Sequence, residues 1–139
     1  MKKALIGLSC LLLLTSCVTR EQADERLARG CAAAVELFLD EGFKIKEIKN
    51  KKFENSSEFG NSYRKVTLFA VESDDWLTLD KEYDCTFAEE YGIFNSTHRT
   101  SIYQVHVNDQ IYGMKDGMII GDMKDHLKLT ETVDNAMLR

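Results

Sequence analysis

No stretch of this 139-residue chain reaches the roughly 18 consecutive apolar residues that a spanning helix needs, which excludes a polytopic membrane protein. Proline is absent, and basic residues are outnumbered by acidic ones. The 18 Lys and Arg against 23 Asp and Glu leave a formal net charge of −5, so nothing here neutralises a phosphate backbone and no nucleic-acid partner is expected. The signatures of common chemistry are missing too: no Gly-x-Ser-x-Gly elbow, no phosphate-cradling glycine loop, no His-Glu-x-x-His pair. No internal repeat, low-complexity tract or long linker occurs. What remains is an ordinary apolar content of 44%, which excludes wholesale disorder, in a length that suits one compact domain.

The most informative stretch is Met1 to Cys17. Lys2 and Lys3 precede a short apolar run, Ala4 to Leu14, and small residues follow. A basic start, a short apolar core and small residues at its end describe an export signal that is cut away. The ending Leu14-Thr15-Ser16-Cys17 resembles the lipobox of bacterial lipoproteins: a branched aliphatic residue, two small residues, then cysteine. The resemblance implies a lipoprotein signal peptide at 1–16, diacylglycerol on the Cys17 thiol, and an acylated new amino end. Cysteine suits that step because its thiolate is strongly nucleophilic near neutral pH. The competing Gly7-Leu8-Ser9-Cys10 lacks the aliphatic residue and leaves almost no apolar core ahead of it, so Cys10 is discarded with the leader. The alternative is a free Cys17 after an ordinary cut.

Two or three acyl chains hold a protein firmly, at about 0.8 kcal/mol per buried methylene, so attachment needs no span. In Gram-negative lipoproteins an aspartate directly after the cysteine favours inner-membrane retention. Val18 stands there, and the resemblance implies an outer-membrane lipoprotein facing the periplasm. In a Gram-positive host the same leader implies the outer face of the plasma membrane. Losing residues 1–16 removes Lys2 and Lys3, moving the formal net charge from −5 to −7. An anionic membrane repels such a domain, so the lipid on Cys17, not surface charge, must hold it there.

Export also places Cys31 and Cys85 in an oxidising compartment, where a pair reads as a disulfide before it reads as a metal site. A bridge closing that loop contributes roughly 4 kcal/mol in the chain-entropy model. The alternative is two buried thiols that pack near each other and stay reduced.

Behind a short tether at 17–21, residues 22–139 read as a single α+β domain. From Glu21 to Asp40, Leu27, Cys31, Ala34, Val35 and Phe38 recur at helical steps on one face, and Gly42 ends the run. Strand spacing begins at Phe43-Lys44-Ile45-Lys46, and Lys49 to Lys52 continue it as a basic edge. Asn55 to Ser62 reads as turn. Tyr63 to Val71 is apolar on both faces and therefore central. Within Leu77 to Phe94, Tyr83, Cys85 and Phe87 share one face and Asp80, Glu82 and Asp84 the other. Ile102 to Val107 alternates, with Tyr103, Val105 and Val107 on one side. Asn108-Asp109 and Lys115-Asp116-Gly117 are hairpin turns into Gln110 to Tyr112 and Met118 to Ile120. Leu129, Val133, Ala136 and Met137 mark a closing helix capped by Asp122 or Asp125, with Leu127 off the stripe. The expected fold is an N-terminal helix packed on an antiparallel sheet of four to five strands, then a short C-terminal helix. Its element order is similar to the cystatin-like arrangement, a likeness that carries no function.

Candidate sites are few. His98, His106 and His126 lack ligand spacing, so no metal or other cofactor is expected. The eight carboxylates between Glu72 and Glu90 lack the glycine-bearing loop of a calcium site and read as a solvated acidic face. Lys44, Lys46, Lys49, Lys51 and Lys52 form a basic strip that either pairs with that face or docks a charged partner. Ser101 is near His98 in sequence only. Tyr103, Tyr112 and Met114 read either as an apolar groove or as strand side chains. With Cys31 and Cys85 bridged, no nucleophilic thiol remains and no enzyme is expected. The leading expectation is a lipid-anchored accessory module that binds another envelope protein. The alternatives are a ligand-binding or enzymatic lipoprotein with a pocket between helix and sheet, and a phage- or plasmid-type surface-exclusion lipoprotein.

Overall fold

The computed structural model describes residues 17–139, so the expected leader at 1–16, including Leu14-Thr15-Ser16, lies outside the described residues. Helix α1 (Arg20–Glu36) is followed by strands β1 (Lys44–Ser56), β2 (Gly60–Ser73), β3 (Thr78–Tyr91), β4 (His98–Val107), β5 (Gln110–Lys115) and β6 (Met118–Ile120), then helix α2 (Met123–Met137). The six strands form one antiparallel meander in sequence order, with a 3-10 turn at Ile93–Asn95 between β3 and β4. The class is α+β, as expected, but the sheet has six strands instead of four to five. The extra strand comes from the last two hairpins. Asn108 and Asp109 both sit at positive φ, as do Asp116 and Gly117, so each two-residue turn reverses the chain tightly enough for β5 and even three-residue β6 to pair. Among the described residues no helix is long and apolar enough to cross a membrane.

Local chemistry sets the ends of both helices. Thr19 caps α1 by accepting from Gln22 N–H at 3.2 Å, while the Gln22 side chain accepts from Thr19 N–H. The helix stops at Glu36, short of the expected Asp40, because the Leu37 and Phe38 amides turn back to Ala34 and Val35. Phe38 still reaches the core, its ring stacked on Tyr112 with centroids 3.7 Å apart. Asp122 is the α2 cap, accepting from Lys124 N–H. Gly30 lets α2 approach α1, since a Cβ there would stand 2.9 Å from Met137 Cγ.

The core lies between the helices and one face of the sheet. Leu27, Cys31, Ala34 and Val35 of α1 and Leu129 and Val133 of α2 meet Val66, Leu68, Tyr83, Cys85, Phe87, Val105 and Val107, all essentially inaccessible. Cys31 and Cys85 are bridged there, with Cα atoms 5.6 Å apart, pinning α1 to β3. Two expectations change at the sheet. The Asn55–Ser62 turn contracts to residues 57–59, because polar strand ends still pair: Asn55 opposes Arg64, and their side chains bond at 3.1 Å. Tyr103 does not share a face with Val105 and Val107. A register shift opposite Thr86 and Phe87 turns Ile102 inward and sends Tyr103 to Phe59 and Tyr63. Gly113, at φ +101, lies directly on the bulged segment, where a Cβ would overlap the Tyr103 carbonyl oxygen.

One buried polar pair closes the core at its β2–β3 end. The Tyr83 hydroxyl donates to the Glu72 carboxylate, both groups being almost fully buried, with Lys81 Nζ 3.9 Å from Glu72. Burial first, then the hydrogen bond to Glu72 and the negative charge of that carboxylate, hold the Tyr83 phenol well above its ordinary value of 10.0. A raised folded-state value means the contribution is complete below pH 10 and is lost as the pH climbs above it. Tyr83→Phe strands the Glu72 carboxylate and is expected to cost about 2 kcal/mol at pH 7. Above pH 10 the gap from the parent closes by about 1.4 kcal/mol per pH unit until the folded phenol ionises. Urea unfolding at pH 7 and pH 11 measures both, and an unchanged gap would contradict the assignment.

Candidate functional site

Four pieces of chain converge at one pole: Cys17 and the start of α1, the β3–β4 loop, the first residues of β4, and the end of α2. Strand alternation turns Glu89, Tyr91, His98 and Thr100 toward the helix side, the same side as Phe87 and Ile102. Arg20, one residue after the cap, reaches them. Its guanidinium makes two bonds to the Glu89 carboxylate, at 3.0 and 2.7 Å, also pairs with Asp24, and lies 5.7 Å from the centre of the Tyr91 ring. Asp24 in turn holds Arg64 of β2 through Nε at 3.1 Å and Nη2 at 2.8 Å.

Glu89 also meets His98 Nε2 at 2.8 Å, and Tyr91 stacks on the His98 ring with centroids 4.8 Å apart. A carboxylate only accepts, so Nε2 carries the proton. The His98 side chain is 1% exposed, and its Nδ1 finds no partner among the described residues, nor does the Thr100 hydroxyl. Beside them opens a cleft of about 460 Å³ lined by Arg26, Arg99, Asp134, Met137 and Leu138 as well as His98 and Thr100.

Charges here respond to neighbours. Burial disfavours the Arg20 cation, but hydrogen bonds and Coulomb attraction from Glu89 and Asp24 outweigh it and raise its value. Burial, then the Glu89 charge, raises the Tyr91 phenol, and desolvation raises Asp134. The arrangement is a polar clamp framed by cations, able to orient a small polar group. It does not bring Ser101 to His98: Ser101 is exposed on the opposite side of β4.

The other sequence-derived sites fall elsewhere. Cys17 is exposed and is the cysteine left unbridged among the described residues. His106 bonds Gln104 at 2.8 Å on the face of the sheet away from the helices, where a 120 Å³ polar pocket is occupied by its own ion pairs and hydrogen bonds, including Lys65–Asp84 at 3.0 Å. His126 sits in α2. The three histidines therefore do not meet, and no group of three or more His, Cys, Asp or Glu among the described residues is placed to hold a metal ion. The lysine strip does not face the acidic strand directly, because β2 lies between β1 and β3. Lys49 nonetheless spans to Asp80 at 2.7 Å, while Lys51 pairs with Glu25 of α1 and Lys52 with Glu54. Tyr103 and Tyr112 belong to different aromatic clusters, so they and Met114 do not form one groove.

The Asp24–Arg64 and Arg20–Glu89–His98 contacts escaped sequence reading. The available signal was the i,i+4 spacing of Arg20 and Asp24 on α1. At the opposite end of β3, the β2–β3 turn presents Trp76 at 95% exposure, with Asp74 accepting from the Trp76 and Leu77 amides at 2.7 and 2.6 Å. No protein-family model matches this chain, and neither a curated protein nor a solved structure is significantly similar to it.

Proposed function

We propose that this chain is a lipoprotein of the bacterial cell envelope, held to the membrane by lipid on Cys17, whose domain acts by binding another envelope protein. In a Gram-negative host it faces the periplasm from the outer membrane. In a Gram-positive host it lies on the outer face of the plasma membrane. The observation that carries the reading is the exposed, unbridged Cys17, two residues before the α1 cap and directly after Leu14-Thr15-Ser16. Cys31 and Cys85, the other two cysteines of the exported domain, are consumed in a bridge, as an oxidising compartment favours.

A binding role draws support from Trp76. Trp76 stands bare at the hairpin tip, and tryptophan is enriched among residues that dominate interfaces. The turn is held in shape by the Asp74 bonds, so the ring is presented on a fixed support. The His98 cleft favours the rival reading, a pocket between helix and sheet that takes a small polar ligand. We read the element order as similar to the cystatin-like arrangement, an analogy that decides between neither reading.

One experiment tests the proposal in cells. A photo-cross-linking amino acid replaces Trp76 in the full-length chain, with and without Cys17→Ser. The parent is expected to fractionate with membranes, carry the mass of the lipid on its Cys17 peptide, and yield a discrete adduct with an envelope protein. Cys17→Ser is expected to lose the membrane fraction, the lipid mass and the adduct together. A Cys17→Ser protein that still sediments with membranes rules out the anchor. A lipidated protein that gives no adduct counts against the binding role.

A further inference from the structure

We infer that the β3–β4 loop is a second membrane contact: Ile93 and Phe94 insert into the lipid bilayer beside the acyl chains on Cys17. This rests on the proposed lipidation of Cys17 and adds what the domain itself does at the membrane. Three observations carry it. First, Cys17 Sγ lies 4.0 Å from the Phe94 carbonyl oxygen, so chains attached to that sulfur leave the protein at this loop. Second, Phe94 is 93% and Ile93 79% exposed, with Tyr91 half-exposed behind them. Large apolar side chains side by side in water are a binding surface awaiting an apolar partner. Beside a lipid anchor, that partner is the bilayer.

Third, the loop is built to present them. The Gly92 amide donates to the Thr97 carbonyl at 2.9 Å, and the Asn95 and Ser96 amides turn back to Gly92 and Ile93. Phe94 is held at φ 55 and Asn95 at φ 56, a left-handed turn that a bulky residue such as phenylalanine rarely adopts. The surroundings match an interface. Tyr91 has an apolar ring and a polar tip, the combination that settles at headgroup level, and the Arg20 guanidinium lies 5.7 Å from the centre of that ring.

The orientation follows from the strand. β3 runs 14 residues from the β2–β3 turn to this loop, about 45 Å of extended chain. Trp76, with Asp74 and Asp75, therefore stands at the end remote from the bilayer, and Ile93 and Phe94 enter it by about 5–10 Å.

The test uses the two turns as opposed probes. Full-length Trp76→Phe/Phe94→Trp and the parent, whose one tryptophan is Trp76, are purified in lipidated form from membranes. Each is reconstituted into phosphatidylethanolamine and phosphatidylglycerol vesicles containing phosphatidylcholine brominated along its acyl chains. The indole introduced by Phe94→Trp is expected to be quenched by the bromines and blue-shifted, while Trp76 of the parent stays unquenched at its water-exposed wavelength. Mass spectrometry of the Cys17 peptide and flotation are read on the same samples. A lipidated, floating double variant whose indole is unquenched overturns the loop insertion and leaves the anchor standing. Equal quenching in the two proteins also overturns it, because the domain then lies flat. An unmodified Cys17 overturns the anchor, and the loop insertion falls with it.

Discussion

Replacing Cys31 and Cys85 together with alanine is expected to destabilise the domain by about 4 kcal/mol, lowering its melting temperature by about 15 °C. The two positions are separated by 54 residues, so the bridge removes a large loop entropy from the unfolded chain. Its placement adds to the effect. It ties the middle of α1 to the inward face of β3, at a point where both cysteines are wholly buried. Without it, α1 is held by its apolar stripe and by its rim ion pairs with Glu89, Arg64 and Lys51. Urea unfolding of the parent with and without dithiothreitol gives the same comparison without mutation. Thiol counting of the denatured mature protein should show two more reactive groups after reduction than before. Equal midpoints in oxidising and reducing buffer would falsify the claim that the bridge stabilises the fold.

The second large effect is expected at Asp24. This carboxylate is 8% exposed and carries two arginines: Arg64, whose side chain is 13% exposed, and Arg20. Asp24→Ala leaves Arg64 with Asn55 as its remaining bonded partner and leaves Arg20 with Glu89. Breaking one side of such a pair costs about 3 kcal/mol, most of it from the uncompensated guanidinium. The double variant Asp24→Ala/Arg64→Leu removes that stranded charge and is expected to regain a large part of the loss. Strict additivity of the two substitutions in urea unfolding would show that the pair is not coupled. Because the pair is shielded from solvent, raising salt should weaken it far less than the exposed Lys49–Asp80 pair.

Periodicity alone placed most of the fold. The Leu27–Cys31–Ala34–Val35 stripe, the Tyr83–Cys85–Phe87 alternation and the Leu129–Val133 spacing all face the core. These signals are local and repeat with the helix or strand period, so they survive without knowledge of partners. Where they failed, a second strand was responsible. The shift in register opposite Thr86 cannot be read from β4, and it sends Tyr103 away from the side of Val105. The length of β1 was hidden as well. Two of its three register shifts fall before Phe53 and let Ile45, Ile48 and Phe53 all lean on the core, which breaks the simple alternation of Lys44 to Phe53.

The charged pole shows the same division more sharply. Arg20, Asp24, Arg64, Glu89 and His98 come from α1, β2, β3 and β4, and each reads alone as an ordinary solvent-facing polar residue. Only closure of the sheet against α1 makes them one network.

The amino-acid order by itself determined the class of the fold, which cysteines face each other, and the lipobox-like residues ahead of Cys17. Composition, side-chain period and short motifs are properties of contiguous chain, and each of these rests on one of them. Tertiary structure decided that Cys17 lies against Phe94, that Trp76 stands at the far end of β3, and that His98 lies buried beside an open cleft. Those are distances between residues remote in sequence. They exist only once burial of a shared core has chosen one register for six strands and one seat for two helices.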